Sequence, residues 1–217
     1  MFDPATGGHP SPRTPGEKWL IGTFTTLGLA LVFGTLMEDY EPVKLSVPFF
    51  FVSWVLLLAL HEFGHALTAR ALGWKVQSVS IGSGRTLWSG RILGMPVRFR
   101  AVPLSGYVLP VPGHLRQPRL REFLIYAAGP GIELAAAAAI LLALGPSNLF
   151  TRCEQVPVIA AQTFAAVAVL GAVINLVPLP VRMERGFATT DGLGMILCWG
   201  RSDWHYARQI DCSPGAE

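Results

Sequence analysis

Four long apolar stretches constrain this chain more than any other feature of its sequence. They cover about residues 19–37, 47–72, 123–144 and 156–177, each close to the roughly 20 residues that a helix needs to cross a bilayer. Backbone in lipid must satisfy its own hydrogen bonds, so each stretch is predicted to be a transmembrane helix. Only 14% of the residues are charged, against about 25% in soluble domains. We therefore expect a mainly α-helical, multi-pass membrane protein with about four spans.

The charges between these stretches predict an orientation. Nine of the 17 basic residues lie from Arg70 to Arg121, and no acid lies between Glu62 and Glu122. Loops rich in Arg and Lys stay on the cytoplasmic side, so this region and both termini are predicted to be cytoplasmic in a cell membrane, most simply a bacterial inner membrane. Membrane flanks on both sides of the basic region argue against nucleic acid as its partner.

The sequence outside the spans divides into three regions. Residues 1–18 are rich in Pro and Gly and are predicted to be disordered. Residues 76–111 mix β-branched residues with Gly and Pro, which predicts a small β-ribbon between the second and third spans. Residues 192–199 are too short to span and predict a surface helix or a partial re-entry. The membrane-embedded core is thus expected over 19–200, followed by a tail over 201–217.

The second apolar stretch contains the pattern His61-Glu62-Phe63-Gly64-His65. Residues four apart project from one face of a helix, so both imidazoles can bind one Zn²⁺. Glu62 is placed to act as the general base for the attacking water, as in metalloproteases with this pattern. Ionisable groups are costly inside a membrane, and a metal site accounts for all three. We expect one Zn²⁺ per chain.

A hydrolytic zinc site usually has three protein ligands, so a third must come from elsewhere in the chain. The acidic candidates after the fourth span are Glu184, Asp191 and Asp203. Glu184 lies among arginines in a pattern typical of a solvated cluster. Asp191 is preferred, because the glycines at 192 and 194 permit backbone to approach a site closely. His205 is the alternative if Asp191 is not the ligand.

Several motifs, in order, resemble the site-2 protease family of intramembrane zinc metalloproteases. The pattern at 61–65 is similar to the zinc helix of that family, and Pro103-Leu104-Ser105-Gly106-Tyr107-Val108 is similar to the end of its β-segment. The sequence AAGPGIE at 127–133 and the Asn-x-x-Pro and Asp-Gly elements at 175–192 resemble its later motifs. The resemblance covers about residues 50–195 and is to a minimal core, without a PDZ or CBS domain.

This resemblance implies roles for particular residues. His61, His65 and Asp191 would be the zinc ligands and Glu62 the catalytic base. Asn175 would face the site and help to hold substrate or the developing oxyanion, while Gly106 and Tyr107 belong to a ribbon that would bind the substrate. The chain departs from the family pattern at Ser105, Glu133 and Thr190. The implied activity is hydrolysis of peptide bonds in or near the transmembrane segments of membrane proteins.

A different class of function is a metal-binding membrane protein without proteolysis, either a scaffold or a transporter. A cation pathway would need several intramembrane acids on different spans, whereas the predicted spans contain only Glu62 and Glu133. A scaffold would have no need of a base beside its ligands, and Glu62 is present. Cys153, Cys198 and Cys212 are predicted to be free thiols, because their number and spacing fit neither a disulfide framework nor a zinc knuckle.

Overall fold

A computed structural model describes residues 23, 26–31, 34, 41–183 and 186–211 of the chain. Three helices in this part are long and apolar enough to cross a membrane. They are α1 (Ser46–Ala71), α2 (Pro118–Leu144) and the later α4 (Val156–Leu176), separated from α2 by the short α3 (Pro146–Phe150). Their mean hydropathies are between 1.8 and 2.1 over the most apolar windows. The prediction of a mainly helical membrane protein is therefore confirmed.

The first predicted span, residues 19–37, lies mostly outside the described residues. The described residues of this stretch, 23, 26–31 and 34, are helical. They are too few to show a complete span, so a fourth span stays a prediction. The third predicted span begins five residues earlier than expected, because Pro118 starts α2. Proline suits the first turn of a helix, where its missing N–H has no partner to lose.

The three long helices pack against one another in every pairing. Their shared core at the end away from the histidines consists of small and branched side chains: Leu57, Ala137, Ala165, Val167 and Ala168. Nearer the histidines, α1 and α2 come so close that a Cβ at Gly64 would lie 2.9 Å from the carbonyl oxygen of Ala128. Small residues permit this approach between membrane helices. It brings the backbone of α2 next to the histidine face of α1.

A two-stranded antiparallel sheet lies between α1 and α2 in the chain. Its strands are β1 (Lys75–Ile92) and β2 (Met95–Val111). Val79 in β1 pairs with Val97 on one side and with Val108 on the other, which shows that β2 turns back along β1. The sheet therefore consists of four rows of backbone, with residues 106–111 along one outer edge. Trp54 of α1 donates a hydrogen bond to the carbonyl of Pro103 at 2.9 Å, which holds β2 against the helix.

The chain after α4 forms a compact C-terminal segment. A hairpin of β3 (Pro180–Met183) and β4 (Gly186–Thr189) leads into α5 (Asp191–Leu197), a 3₁₀ turn (Cys198–Gly200) and α6 (Asp203–Asp211). The short helix expected over 192–199 is thus α5 with its 3₁₀ extension. Residues 201–217 are predicted only as a tail, whereas α6 forms there and packs Tyr206 into a cluster with Ala69, Trp74 and Ile125. Cys153 and Cys198 are free, as predicted, and Cys212 lies beyond the described residues.

Candidate metal centre

His61 and His65 lie on one face of α1, as their spacing predicts. Both side chains are buried, and their ring centroids are 4.7 Å apart with the planes nearly perpendicular. The two Nε2 atoms are 3.0 Å apart. Two imidazole nitrogens thus converge on one point beside the helix.

Asp191 approaches the same point from the start of α5. Its Oδ2 lies 2.9 Å from Nε2 of His61, and its Oδ1 lies 3.3 Å from Nε2 of His65. Burial acts to raise the pKa of Asp191, but its contacts with the two histidines outweigh that effect and lower it below its ordinary value. The structure therefore brings together the three residues that the sequence predicts as ligands, with their ligand atoms within 4.8 Å of one another.

Thr190 orients the start of α5. Its hydroxyl donates to the carbonyl of Val177 at 2.7 Å and accepts from the N–H of Leu179 at 3.1 Å, both just beyond the end of α4. It also accepts from the N–H of Leu193, as an N-cap residue does. The threonine that departs from the family pattern thus ties the residue next to it, Asp191, to the end of a long helix.

The other ring nitrogens of the two histidines show whether a cation fits. Nδ1 of His65 lies 2.6 Å from the carbonyl oxygen of Ile125, which can only accept, so Nδ1 carries the proton. Nδ1 of His61 lies 3.2 Å from Oε2 of Glu133 at ion-pair distance. If Nδ1 of His61 is also protonated, the Nε2 lone pairs of both rings point toward each other and toward the carboxylate of Asp191. That arrangement is repulsive unless a cation lies between the three groups, so the donor set fits Zn²⁺.

Glu62 lies on α1 beside the ligands and is 5% exposed. Its carboxylate packs against the backbone of β2, where a Cβ at Gly106 would lie 2.4 Å from Oε1. Its Oε2 is buried and has no hydrogen-bond partner within the described part of the chain. A buried carboxylate oxygen without a partner is free to accept a proton, which suits a general base.

A cavity of about 610 Å³ extends from these residues between the three long helices and β2. Of the residues predicted to bind substrate, all three line it: Gly106, Tyr107 and Asn175. The amide nitrogen of Asn175 donates to the carbonyl of Gly171 on its own helix at 3.1 Å. An amide nitrogen has two protons, so Asn175 keeps a second donor for the cavity.

The remaining candidate residues lie elsewhere. Asp203 forms an exposed ion pair with Arg119 at 2.8 Å, and His205 contacts Gln209 at 2.9 Å. Neither belongs to the cluster of ligand atoms around the two histidines. Glu184 lies outside the described residues.

Glu133 lies in the site, although the sequence did not predict a contact between it and a ligand. It is 3% exposed on α2 and approaches His61 on the side away from the other ligands. Gly171 makes room for it, since a Cβ there would lie 2.8 Å from Oε1. The signal was present in the sequence, because an acid inside a predicted span indicates a polar partner. Its partner could be named only from the tertiary structure.

Replacing Glu133 with alanine is expected to weaken zinc binding about 10- to 100-fold, as losses of such supporting groups do. The physical reason is that Nδ1 of His61 loses the carboxylate that lies 3.2 Å from it. Competition with a chelator measures the effect in the purified, full-length protein. Glu154→Ala, at an exposed acid outside the long helices, is the matched control. Equal zinc affinities in wild type and Glu133→Ala would contradict this role.

Comparison with known proteins agrees with this architecture. The chain belongs to peptidase family M50, whose family model matches residues 49–177. The zinc metalloprotease Rip1 of Mycobacterium tuberculosis is 30% identical over 113 residues, which are 46% of this chain and 28% of Rip1. Cj1068 of Campylobacter jejuni, named as a proposed zinc metalloprotease, is 31% identical over 123 residues, 50% of this chain and 33% of that protein. The chain thus aligns with a third or less of these relatives' lengths.

Proposed function

We propose that this chain is a zinc-dependent protease that hydrolyses peptide bonds in or near the membrane-spanning segments of protein substrates. The observation that carries the proposal is the convergence of His61, His65 and Asp191 on one point, with the buried Glu62 beside them. Bound zinc would supply a Lewis acid that polarises the scissile carbonyl and acidifies water. Glu62 takes the proton of the attacking water, and the burial of its carboxylate keeps competing solvent away.

The position of the site on α1 supports cleavage at membrane depth. His61 is ten residues from the end of α1, which corresponds to about 15 Å along the helix axis. The basic residues between Arg70 and Arg121 follow this end, so the site is proposed to lie near the cytoplasmic side, with both termini cytoplasmic. Labelling of single cysteines at Lys75 and at Glu154 from one side of sealed vesicles tests this orientation. Labelling of both from the same side would overturn it.

A substrate helix hides its carbonyls in its own hydrogen bonds and must unwind before water can attack. The outer edge of β2 near Gly106 and Tyr107 is proposed to bind the unwound strand by strand addition. In support, Tyr107 pairs with Ser80 on one side and, among the described residues, has no strand on the other. Residues 97–99 cannot bind a further strand, because β1 backbone lies on both sides of them. The proposed edge is therefore residues 106–111.

Methylated substrates test the strand-addition proposal. Successive N–H groups of a strand point to opposite sides, so only alternate positions can bond to the edge. Two peptides with an N-methyl group at adjacent positions near the scissile bond form a matched pair. We expect KM to rise about tenfold or more for one of them and to stay unchanged for the other. Equal KM values for both peptides would exclude pairing along this edge.

The test of the function itself is cleavage of a single-span substrate by the purified protein in a bilayer. Removal of metal by a chelator should abolish cleavage, and one equivalent of Zn²⁺ per chain should restore it. A non-proteolytic metal protein would bind the same equivalent of zinc without cleaving any of a panel of membrane peptides. The buried Oε2 of Glu62, which has no partner among the described residues, favours the protease, since a scaffold or transporter has no use for a base at that position.

A further inference from the structure

A second buried carboxylate, Glu122, lies near the start of α2 and holds the C-terminal segment. Glu122 is 7% exposed, and both of its oxygens have partners in that segment. Oε2 accepts a hydrogen bond from the hydroxyl of Tyr206 at 2.6 Å, and Oε1 forms an ion pair with Arg201. A buried charge with two partners is held far more firmly than an exposed pair.

Tyr206 is the fully buried end of this arrangement. Its ring packs edge-on against Trp74, which follows α1 directly, with centroids 6.4 Å apart. Burial, and then the hydrogen bond to Glu122, raise the pKa of the Tyr206 hydroxyl. The phenol therefore keeps its proton and remains a donor. Through Tyr206 and Glu122, α6 is joined to both α1 and α2.

The segment between Thr190 and Arg201 carries Asp191 and has little stability of its own. Isolated helices of fewer than about 12 residues are marginal in water, and α5 has only seven residues. The segment is attached at both ends, to the end of α4 through Thr190 and to α2 through Arg201. Between these points it packs tightly, since a Cβ at Gly194 would lie 2.6 Å from the ring of Tyr126.

We infer that Glu122, Arg201 and Tyr206 form a clasp that positions Asp191 for metal binding. The inference rests on the proposed function in one respect, that Asp191 is the third ligand. Two ligands lie on α1, where helix geometry alone places them one turn apart. The third lies on a segment that does not span the membrane, so its distance from the histidines depends on what holds that segment. Glu122 and Arg201 also line the cavity of the site, which places the clasp next to the ligands.

The residues of the clasp are positioning residues, so the effect of replacing them is measured at the metal site. Tyr206→Phe keeps the ring and removes only the donor, and Glu122→Gln removes the charge that binds Arg201. In the full-length protein in a bilayer, each is expected to weaken Zn²⁺ binding at least tenfold by chelator competition. Each should also change the visible spectrum of bound Co²⁺, which reports the geometry of the ligands. Asp203→Asn removes the exposed pair with Arg119 on the same segment. It should leave the zinc affinity within twofold of wild type and the Co²⁺ spectrum unchanged.

A double-mutant cycle separates positioning from general destabilisation. If Tyr206 acts through Asp191, Tyr206→Phe should have no further effect on zinc affinity in an Asp191→Ala background. Additive losses of affinity in the cycle would overturn the inference, and so would wild-type zinc affinity and Co²⁺ spectra in both clasp variants. The Asp191→Ala variant also keeps the two proposals distinguishable. Wild-type zinc affinity in that variant would refute Asp191 as the third ligand, whatever the clasp variants show.

Discussion

Replacing Glu62 with glutamine is expected to slow peptide cleavage by a factor of about 10²–10⁴ while zinc stays near one per chain. Glutamine has nearly the same shape, so the packing of the side chain against Gly106 is kept. It cannot accept a proton from the attacking water. Zinc content comes from elemental analysis of the purified protein, and the rate comes from a single-span substrate in the same bilayer. Cleavage at the wild-type rate would remove Glu62 from the mechanism.

Asn175, which also lines the cavity, is expected to affect the rate of cleavage without affecting the metal. In Asn175→Ala, we expect kcat to fall by about 10²–10³ if the amide donates to the developing oxyanion. KM should change much less, because such a donor acts mainly in the transition state. Zinc content should again stay near one per chain, since Asn175 is not among the clustered ligand atoms. A rise in KM with kcat unchanged would assign Asn175 to substrate binding alone.

Replacing Gly129 with alanine is expected to abolish zinc binding and with it all cleavage. Gly129 lies on α2 directly across from the two histidines, and its Cβ would be 2.4 Å from Nε2 of His65 and 2.6 Å from Nε2 of His61. Heavy atoms do not approach so closely without displacement, so a single methyl group takes the space between the ligand nitrogens. The expected readout is less than a tenth of an equivalent of zinc per chain in the purified protein.

Gly131→Ala is the matched control for this prediction. It makes the same chemical change two residues further along α2, where a new Cβ would meet nothing within 4 Å. Alanine is favoured over glycine inside a helix by about 0.5–1 kcal/mol, so Gly131→Ala should fold at least as well as wild type. Zinc content and cleavage should be unchanged. A full equivalent of zinc in Gly129→Ala would show that the ligand nitrogens do not converge as the structure has them.

The long helices could be predicted because lipid permits so few alternatives. A run of apolar residues such as Val156–Leu176 must be helical if it crosses a bilayer, whatever it packs against. The spacing of His61 and His65 was equally informative, since residues four apart share a helix face by local geometry alone. Both conclusions use interactions within one stretch of chain.

The identity of the third acid in the cluster could not be predicted from local patterns in the sequence. The sequence offered Glu184, Asp191 and Asp203 at similar distances along the chain, and neighbouring glycines alone favoured Asp191. In the structure, Asp203 faces Arg119, whereas Asp191 meets both histidines. The choice depends on how α5 is attached to α2 and α4. The contacts that make this attachment join Thr190 to Val177, 13 positions apart, and Arg201 to Glu122, 79 positions apart, and no local pattern records them.

The sequence by itself therefore determined three long apolar helices, the pair of imidazoles and the carboxylate beside them, because each follows from hydropathy, from periodicity or from the cost of charge in lipid. Only the tertiary structure decided which acid completes the cluster, that Glu133 and the carbonyl of Ile125 lie against the histidines, and that Gly129 must lack a side chain. These features arise where separate helices approach within a few ångströms. Such approaches depend on the packing of the whole chain rather than on any one stretch of it.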